Sequence, residues 1–352
     1  MPGGTLPVME VFMNYNLPVP IEEGTAPYLQ KRRRKQTKAW SRYLLILLAV
    51  CMLTAIVICA GKFGLFSFFA GGIGNGETDT SEETTTGETT TDLYDFDYEK
   101  LSEDALAILP CDLSAWTLGM LYENHTDYTI DTIMPEELER VSGDRVTVLV
   151  INTHPYEAYS ASGAYEYRDG SYVNSSDANN TVVAVADAFI DALSAKGIEA
   201  VYVELSTTSG LNSYTAAYEA LEEAMERYPD VRYVVDIHRA LMLDEDGNML
   251  RPVTSEEFGV MAQMRLVAGT DADGALYDDW QDGVAASLAL AEKMTASYPS
   301  LMMPTEISGS RLNQHLPVTV FTAEIGTCGN SLEEALRTAS AFGEVFAAAI
   351  TK

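Results

Sequence analysis

From about residue 144 onward, apolar and polar positions alternate in blocks of two different periods. Runs rich in β-branched residues at 145–151, 199–204, 231–236, 259–268 and 318–324 read as strands. Between them lie stretches of helical period. In Thr181–Lys196, residues Val182, Val185, Ala186, Phe189, Ile190 and Leu193 fall on one face, and Gly197 is a natural stop. Further helices are expected over Tyr214–Tyr228, Asp278–Tyr298 and Leu332–Ile350, with a hairpin-like excursion at Asp246-Gly247. Such alternation predicts an α/β fold, a three-layer sandwich with a mostly parallel central sheet and helices on both faces.

Upstream the pattern changes. Tyr43 to Ala60 is a stretch of eighteen residues without a charge, directly after a basic cluster from Lys31 to Arg42. As a helix it spans about 27 Å, close to the thickness of a bilayer core. A secretory signal is the competing reading, but a leader of about forty residues is too long for one. The expectation is therefore a single transmembrane helix within 43–70, with residues 1–42 cytoplasmic and the rest outside the cell membrane. Residues 71–91 form a Thr, Gly and Glu tract too polar to fold, hence a linker. Residues 92–143 read as a stalk or an N-terminal extension with a short helix near Glu99–Ala107, and 144–352 as the extracytoplasmic functional domain.

Charge narrows the partners. Of 22 Lys and Arg and 52 Asp and Glu in the 352 residues, the first 62 hold eight bases and three acids, leaving fourteen bases against forty-nine acids beyond them. So acidic a body repels phosphate backbones, which argues against nucleic acid. Cys51 and Cys59 fall in or beside the apolar run, while Cys111 and Cys328 stand alone, so no cysteine metal site is indicated. A Cys111–Cys328 disulfide stays open.

The candidate chemistry sits after the strands. His154 and Glu157 follow the run at 145–151; Asp236 ends the run at 231–236, and His238 and Arg239 follow it. Glu324 ends the run at 318–324. Side chains at the carboxyl ends of sheet strands converge on one rim, and two imidazoles with carboxylates there make a zinc site. Glu157 is the expected third ligand, with Glu166 and Asp169 as alternatives in the same loop. Asp236 orients an imidazole or caps a turn. A buried Glu324 must be paired or have a raised pKa, so it is either a salt-bridge partner, to Arg239 or Arg311, or the base that takes a proton from a metal-activated water.

These segments resemble the stage II sporulation protein P family of endospore formers, itself similar to zinc-dependent N-acetylmuramoyl-L-alanine amidases. The family pattern His-Thr-His-Thr-Thr-Glu-Ser-Tyr is similar to Asn152–Tyr159, keeping His154, Glu157 and Tyr159. Asp236–Arg239, Asn313-Gln314, Leu316, Glu324-Ile325-Gly326 and Asn330–Ala335 follow in the family's order. Three positions depart from it: Asn152 replaces a histidine, while Ala240 and His315 replace aspartates. The resemblance implies an amidase-like domain with zinc on His154, Glu157 and His238, and Glu324 as base. It assigns Asp236, Arg239, Asn313, Gln314 and His315 to substrate or supporting contacts. It also implies a peptidoglycan substrate, amide and cross-link cleavage during forespore engulfment, and two partners, a lytic transglycosylase and a membrane scaffold protein. Two other readings stand beside the hydrolase: a wall-binding or scaffold module without turnover, and a sensor whose histidines are structural.

Overall fold

The computed structural model describes residues 93, 94, 96–142, 145–168, 174–205, 213–256 and 259–351. The expected basic leader, membrane anchor and linker lie outside the described residues, as does Asp169. Among the described residues no helix is long and apolar enough to cross a membrane.

In chain order the elements are β1 (Leu106–Cys111), α1 (Ala115–Leu118), β2 (Tyr122–Asn124), β3 (Val146–Ile151), β4 (Glu166–Tyr167) and α2 (Val182–Ala195). They continue with β5 (Glu199–Val203), α3 (Ser213–Arg227), β6 (Tyr233–Ala240), β7 (Met249–Glu256), β8 (Gly259–Ala262) and β9 (Met264–Gly269). The last four are α4 (Trp280–Ser297), β10 (Thr305–Ser308), β11 (Thr319–Thr327) and α5 (Leu332–Ile350). Seven strands form the central sheet in the order β2-β10-β9-β11-β6-β3-β5. Every pairing in it is parallel except β11 with β9. The sheet is thus two parallel blocks of opposite direction, joined at one antiparallel seam.

Strand residues alternate between two cores, as the period of two requires. Val148, Val150, Tyr233, Val235, Phe321 and Ala323 face α2, α4 and α5. Leu149, Ile151, Val234 and Val320 face α3. Helices therefore cover both faces of the sheet. The side with three helices is centred on packed aromatics, Phe189 against Phe342 and Phe346, and Tyr233 against Phe321 and Phe346. Thr181 caps α2 through its side chain, and Ser331 with Glu334 forms a capping box on α5, satisfying amides a helix start leaves free.

Several expectations shift. The helix near Glu99–Ala107 is a single 3-10 turn, Tyr98–Lys100, followed by β1. β1 pairs with β4 and β7, β2 pairs with β10, and Leu138 enters the main core, so much of 92–143 belongs to the folded body. The run expected as one strand at 259–268 is divided at Gln263: β8 joins a second sheet of order β4-β1-β7-β8 and β9 joins the central one. Gln263 is fully buried and anchors the crossing, accepting from Leu113 N and donating to Asp112 Oδ1 and the Ser300 carbonyl. The strand at 231–236 runs on to Ala240, and that at 318–324 to Thr327. Cys111 and Cys328 are free thiols; the open question of a disulfide closes against it.

α2 and α5 cross closely at Gly343, where an added Cβ would lie 2.6 Å from Ala192 Cβ and 2.9 Å from the Phe189 carbonyl. Alanine normally gains roughly 1 kcal/mol over glycine inside a helix, but overpacking against backbone costs about 1–3 kcal/mol. Gly343→Ala is expected to lower the urea midpoint with an unchanged m-value; a raised midpoint would contradict the close crossing.

Candidate metal centre

β3 ends at Ile151, and the next residues turn back over the carboxyl ends of β3 and β6. Asp236 in β6 fixes that turn, accepting from Thr153 N at 2.9 Å and from Thr153 Oγ1 at 2.6 Å. Asn152 supplies a second clamp: its amide donates to the Ile237 carbonyl at 2.5 Å and the Val182 carbonyl at 3.3 Å, and its oxygen accepts from Tyr202. One fully buried side chain thereby ties β3, β5, β6 and the start of α2 together.

That turn delivers His154 and Glu157 to His238. The three side chains offer ligand atoms that all lie within 4.8 Å of one another. Glu157 stands between the histidines, its Oε1 3.7 Å from His154 Nδ1 and its Oε2 3.3 Å from His238 Nδ1. The imidazoles meet edge to face at 5.1 Å, and Tyr214 at the start of α3 also packs edge to face on His154, at 5.5 Å. With metal bonds near 2.0–2.1 Å, ligand atoms of a tetrahedral zinc site stand about 3.4 Å apart, so these separations fit a divalent ion after small movements. His238 Nε2 is buried without a hydrogen bond; Asp236 Oδ1 is 3.0 Å away but out of line. A donor set of two imidazoles and one carboxylate, with Asp236 behind it, suits zinc.

Electrostatics follow from burial and crowding. Burial opposes charge on His238, but the carboxylates of Asp236 and Glu157 outweigh it and hold its pKa well above the usual imidazole value. Burial and then the neighbouring His238 lower that of His154. Burial would raise Glu157, yet the charge of His238 and its hydrogen bond leave the carboxyl below its usual range.

The other candidates divide. His238 and Glu324 are in register on adjacent parallel strands, which brings their Cα atoms about 4.8 Å apart with side chains on one face. Both lie inside their strands rather than beyond them. Glu324 is ion-paired, but to Arg265 in β9 at 2.5 Å and not to Arg239 or Arg311. Arg239 points the other way: its amide donates to Glu157 Oε2 and its guanidinium to the Ala158 carbonyl. Glu166 accepts from Ser102 on the exposed surface and takes no part in the cluster. Gln314 spends its amide on Val267, Thr322 and Gly269, a structural use. Asn313 reaches the His154 side through the Tyr214 carbonyl, and His315 stacks on Tyr218 one helical turn further along. Ala240, buried at the end of β6, accepts from Cys328 N. Sequence reading missed Arg265 and Glu306, which is 2.7 Å from the same guanidinium. Charged residues inside an apolar run were the available signal.

Comparison with known proteins adds the following. The family model described as Stage II sporulation protein P (SpoIIP) matches residues 75–347. A curated relative, Stage II sporulation protein P of Bacillus subtilis (strain 168), is 26% identical over 230 residues, covering 61% of this chain and 54% of that protein. The match thus spans about half the relative's length. Among solved structures, the N-acetylmuramoyl-L-alanine amidase from Clostridium difficile 630 aligns at 14% identity and TM-score 0.36, over 58% of this chain and 96% of that one. The CwlD amidase of Clostridioides difficile, solved in complex with the GerS lipoprotein, aligns at 12% identity and TM-score 0.33, over 58% and 94%.

Because Asn152 bonds the buried Ile237 and Val182 carbonyls and the Tyr202 hydroxyl, Asn152→Ala is expected to cost about 1–3 kcal/mol in chemical denaturation, the range for stranding buried polar groups. A loss under about 0.5 kcal/mol would mean that the clamp carries little.

Proposed function

The chain belongs to the stage II sporulation protein P family, and on that premise we propose that it is a zinc-dependent peptidoglycan hydrolase cleaving the amide between N-acetylmuramic acid and L-alanine. The observation that supports this reading best is the convergence of His154, Glu157 and His238 on the rim that also carries Glu324. Zinc on those three side chains would polarise the amide carbonyl and make water a competent nucleophile near neutral pH.

The remaining work falls to the protein. Glu324 takes the proton of the attacking water as its oxygen bonds to the amide carbon. It then returns that proton to the leaving nitrogen as the carbon–nitrogen bond breaks, releasing a muramoyl carboxylate and a free L-alanyl amine. Asp236 holds the turn that presents His154 and Glu157, through Thr153. Tyr214, edge-on to the His154 ring, restricts its rotation. The same centre would serve for a peptide cross-link, an amide of like chemistry.

In the cell we assign this activity to forespore engulfment, from an enzyme held to the membrane by the apolar segment within 43–70 and working outside it. The 71–91 linker would let the domain search a nearby wall layer while tethered, which raises its local concentration there. A lytic transglycosylase and a membrane scaffold protein are the proposed partners.

The test is mass spectrometry of purified peptidoglycan treated with the full chain. Wild type with one zinc per chain should release stem peptides with free L-alanyl termini. Glu324→Gln and His238→Ala should slow release by about a hundredfold or more, the scale of a lost acid–base group; identical products from all three, or none from zinc-loaded wild type, would sink the hydrolase reading. Metal content separates the ligands: His154→Ala, Glu157→Ala and His238→Ala should each lose zinc on dialysis, whereas Glu166→Ala should keep it.

A further inference from the structure

The antiparallel seam between β9 and β11 places Arg265 directly opposite Glu324. Its guanidinium has two carboxylates in contact. Nε donates to Glu324 Oε2 at 2.5 Å, and Nη2 lies 2.7 Å from Glu306 Oε2 in β10. The side chains of Arg265 and Glu306 are 7% and 6% exposed, while that of Glu324 is 16% exposed, the most open of the three. The closed end of the network is thus Glu306, and the open end is Glu324, the cross-strand neighbour of His238.

Stability alone is a poor account of this arrangement. Burying charge costs several kcal/mol per ion before pairing, and well-packed apolar residues often replace such groups at no loss. Two carboxylates also share a single guanidinium. What the arrangement does achieve is geometric: the planar fork of Arg265 offers separate nitrogens to the two acids, so Glu306 fixes the fork and the fork fixes Glu324. A glutamate otherwise has several rotamers, and a misplacement of about 1 Å can cost a hundredfold in rate.

We propose that Arg265, braced by Glu306, is a positioning residue for Glu324, holding its carboxylate toward the face shared with His238. This rests on the hydrolase reading above, in which Glu324 moves the proton. Lysine at 265 keeps the charge but has one nitrogen, which cannot be shared between the acids in the geometry of the fork.

The test measures turnover, zinc content and thermal midpoint of the zinc-loaded full chain on a soluble muramoyl-peptide. Arg265→Lys should lower kcat about tenfold or more with KM within about twofold, since positioning acts on the transition state. Zinc should stay at one per chain. Glu306→Gln, which leaves the Arg265–Glu324 contact in place, should lower kcat by about three- to tenfold with KM again steady. The decisive arm is the double variant: if Arg265 acts through Glu324, adding Arg265→Lys to Glu324→Gln changes the residual rate by less than about twofold. Additive losses, or losses that track the thermal midpoint, would assign the network to stability alone and overturn the proposal. Should Arg265→Lys fail to fold, Glu306→Gln decides: a kcat equal to wild type overturns the proposal and a lowered one at constant midpoint supports it. An active wild type with an inactive Glu324→Gln but a fully active Arg265→Lys rejects only this inference; an inactive wild type removes the hydrolase reading and this inference together.

Discussion

Charge carried beneath a sheet rim is the constraint on which the rest of this structure depends. Asp236, His238, Arg265 and Glu306 are all buried, and Glu324 nearly so, in strands whose opposite face is the apolar core. None of these groups can be left alone in such surroundings, because an unpaired buried charge is far more costly than an unpaired dipole. The chain answers by choosing register. His238 meets Glu157 and Asp236, Arg265 meets Glu306 and Glu324, and the two sets adjoin where β6 lies beside β11. A slip of one residue in any of these strands would turn a charge into the aromatic core, so register and site are specified together.

Much of the fold was legible because long amphipathic periods are hard to mimic. α2, α4 and α5 begin and end within two residues of where apolar spacing and caps place them. Of the strands after 144, β3 and β5 fall within one residue of the expected bounds, β6 and β11 run further than expected, and β4, β7 and β10 were missed. A run such as Asp236-Ile237-His238-Arg239 looks like the exit from a strand, and pairing across the sheet, with Ile151 on one side and Thr322 to Glu324 on the other, keeps it extended. β7 was passed over because Pro252 and alternating polarity break the pattern; it lies in the second sheet, paired to β1 and β8. β2 and β4 are too short to leave a periodic trace.

The site divides the same way. His154, Glu157, His238 and Glu324 stood out because histidines are few and each follows or ends an apolar run. Their supports did not. Arg265 as the partner of Glu324 requires knowing that β9 runs antiparallel to β11, a fact of topology with no local signature. Asn152, read as a departure from the family pattern, is a buried clamp across three strands, so the residue is built into the scaffold rather than aimed at the centre. Gln314, expected in substrate or supporting contacts, ties its own loop to β9 and β11 through Gly269, Val267 and Thr322.

The placement of β1 and β2 bears on how such a chain reaches its final form. Ala107 bonds a side chain 141 residues further on, and Tyr122 pairs with Thr305. Contacts of that separation close large loops before they return any energy, and they slow folding accordingly. The α/β body beginning at β3 has distant pairings of its own, β6 with β11 and α2 against α5, so local collapse alone does not complete it either. β1 and β2 are selvedges, each sewn to strands made long after it. During synthesis, β1 has no partner strand until β4 and then β7 exist, and β2 has none until β10 does.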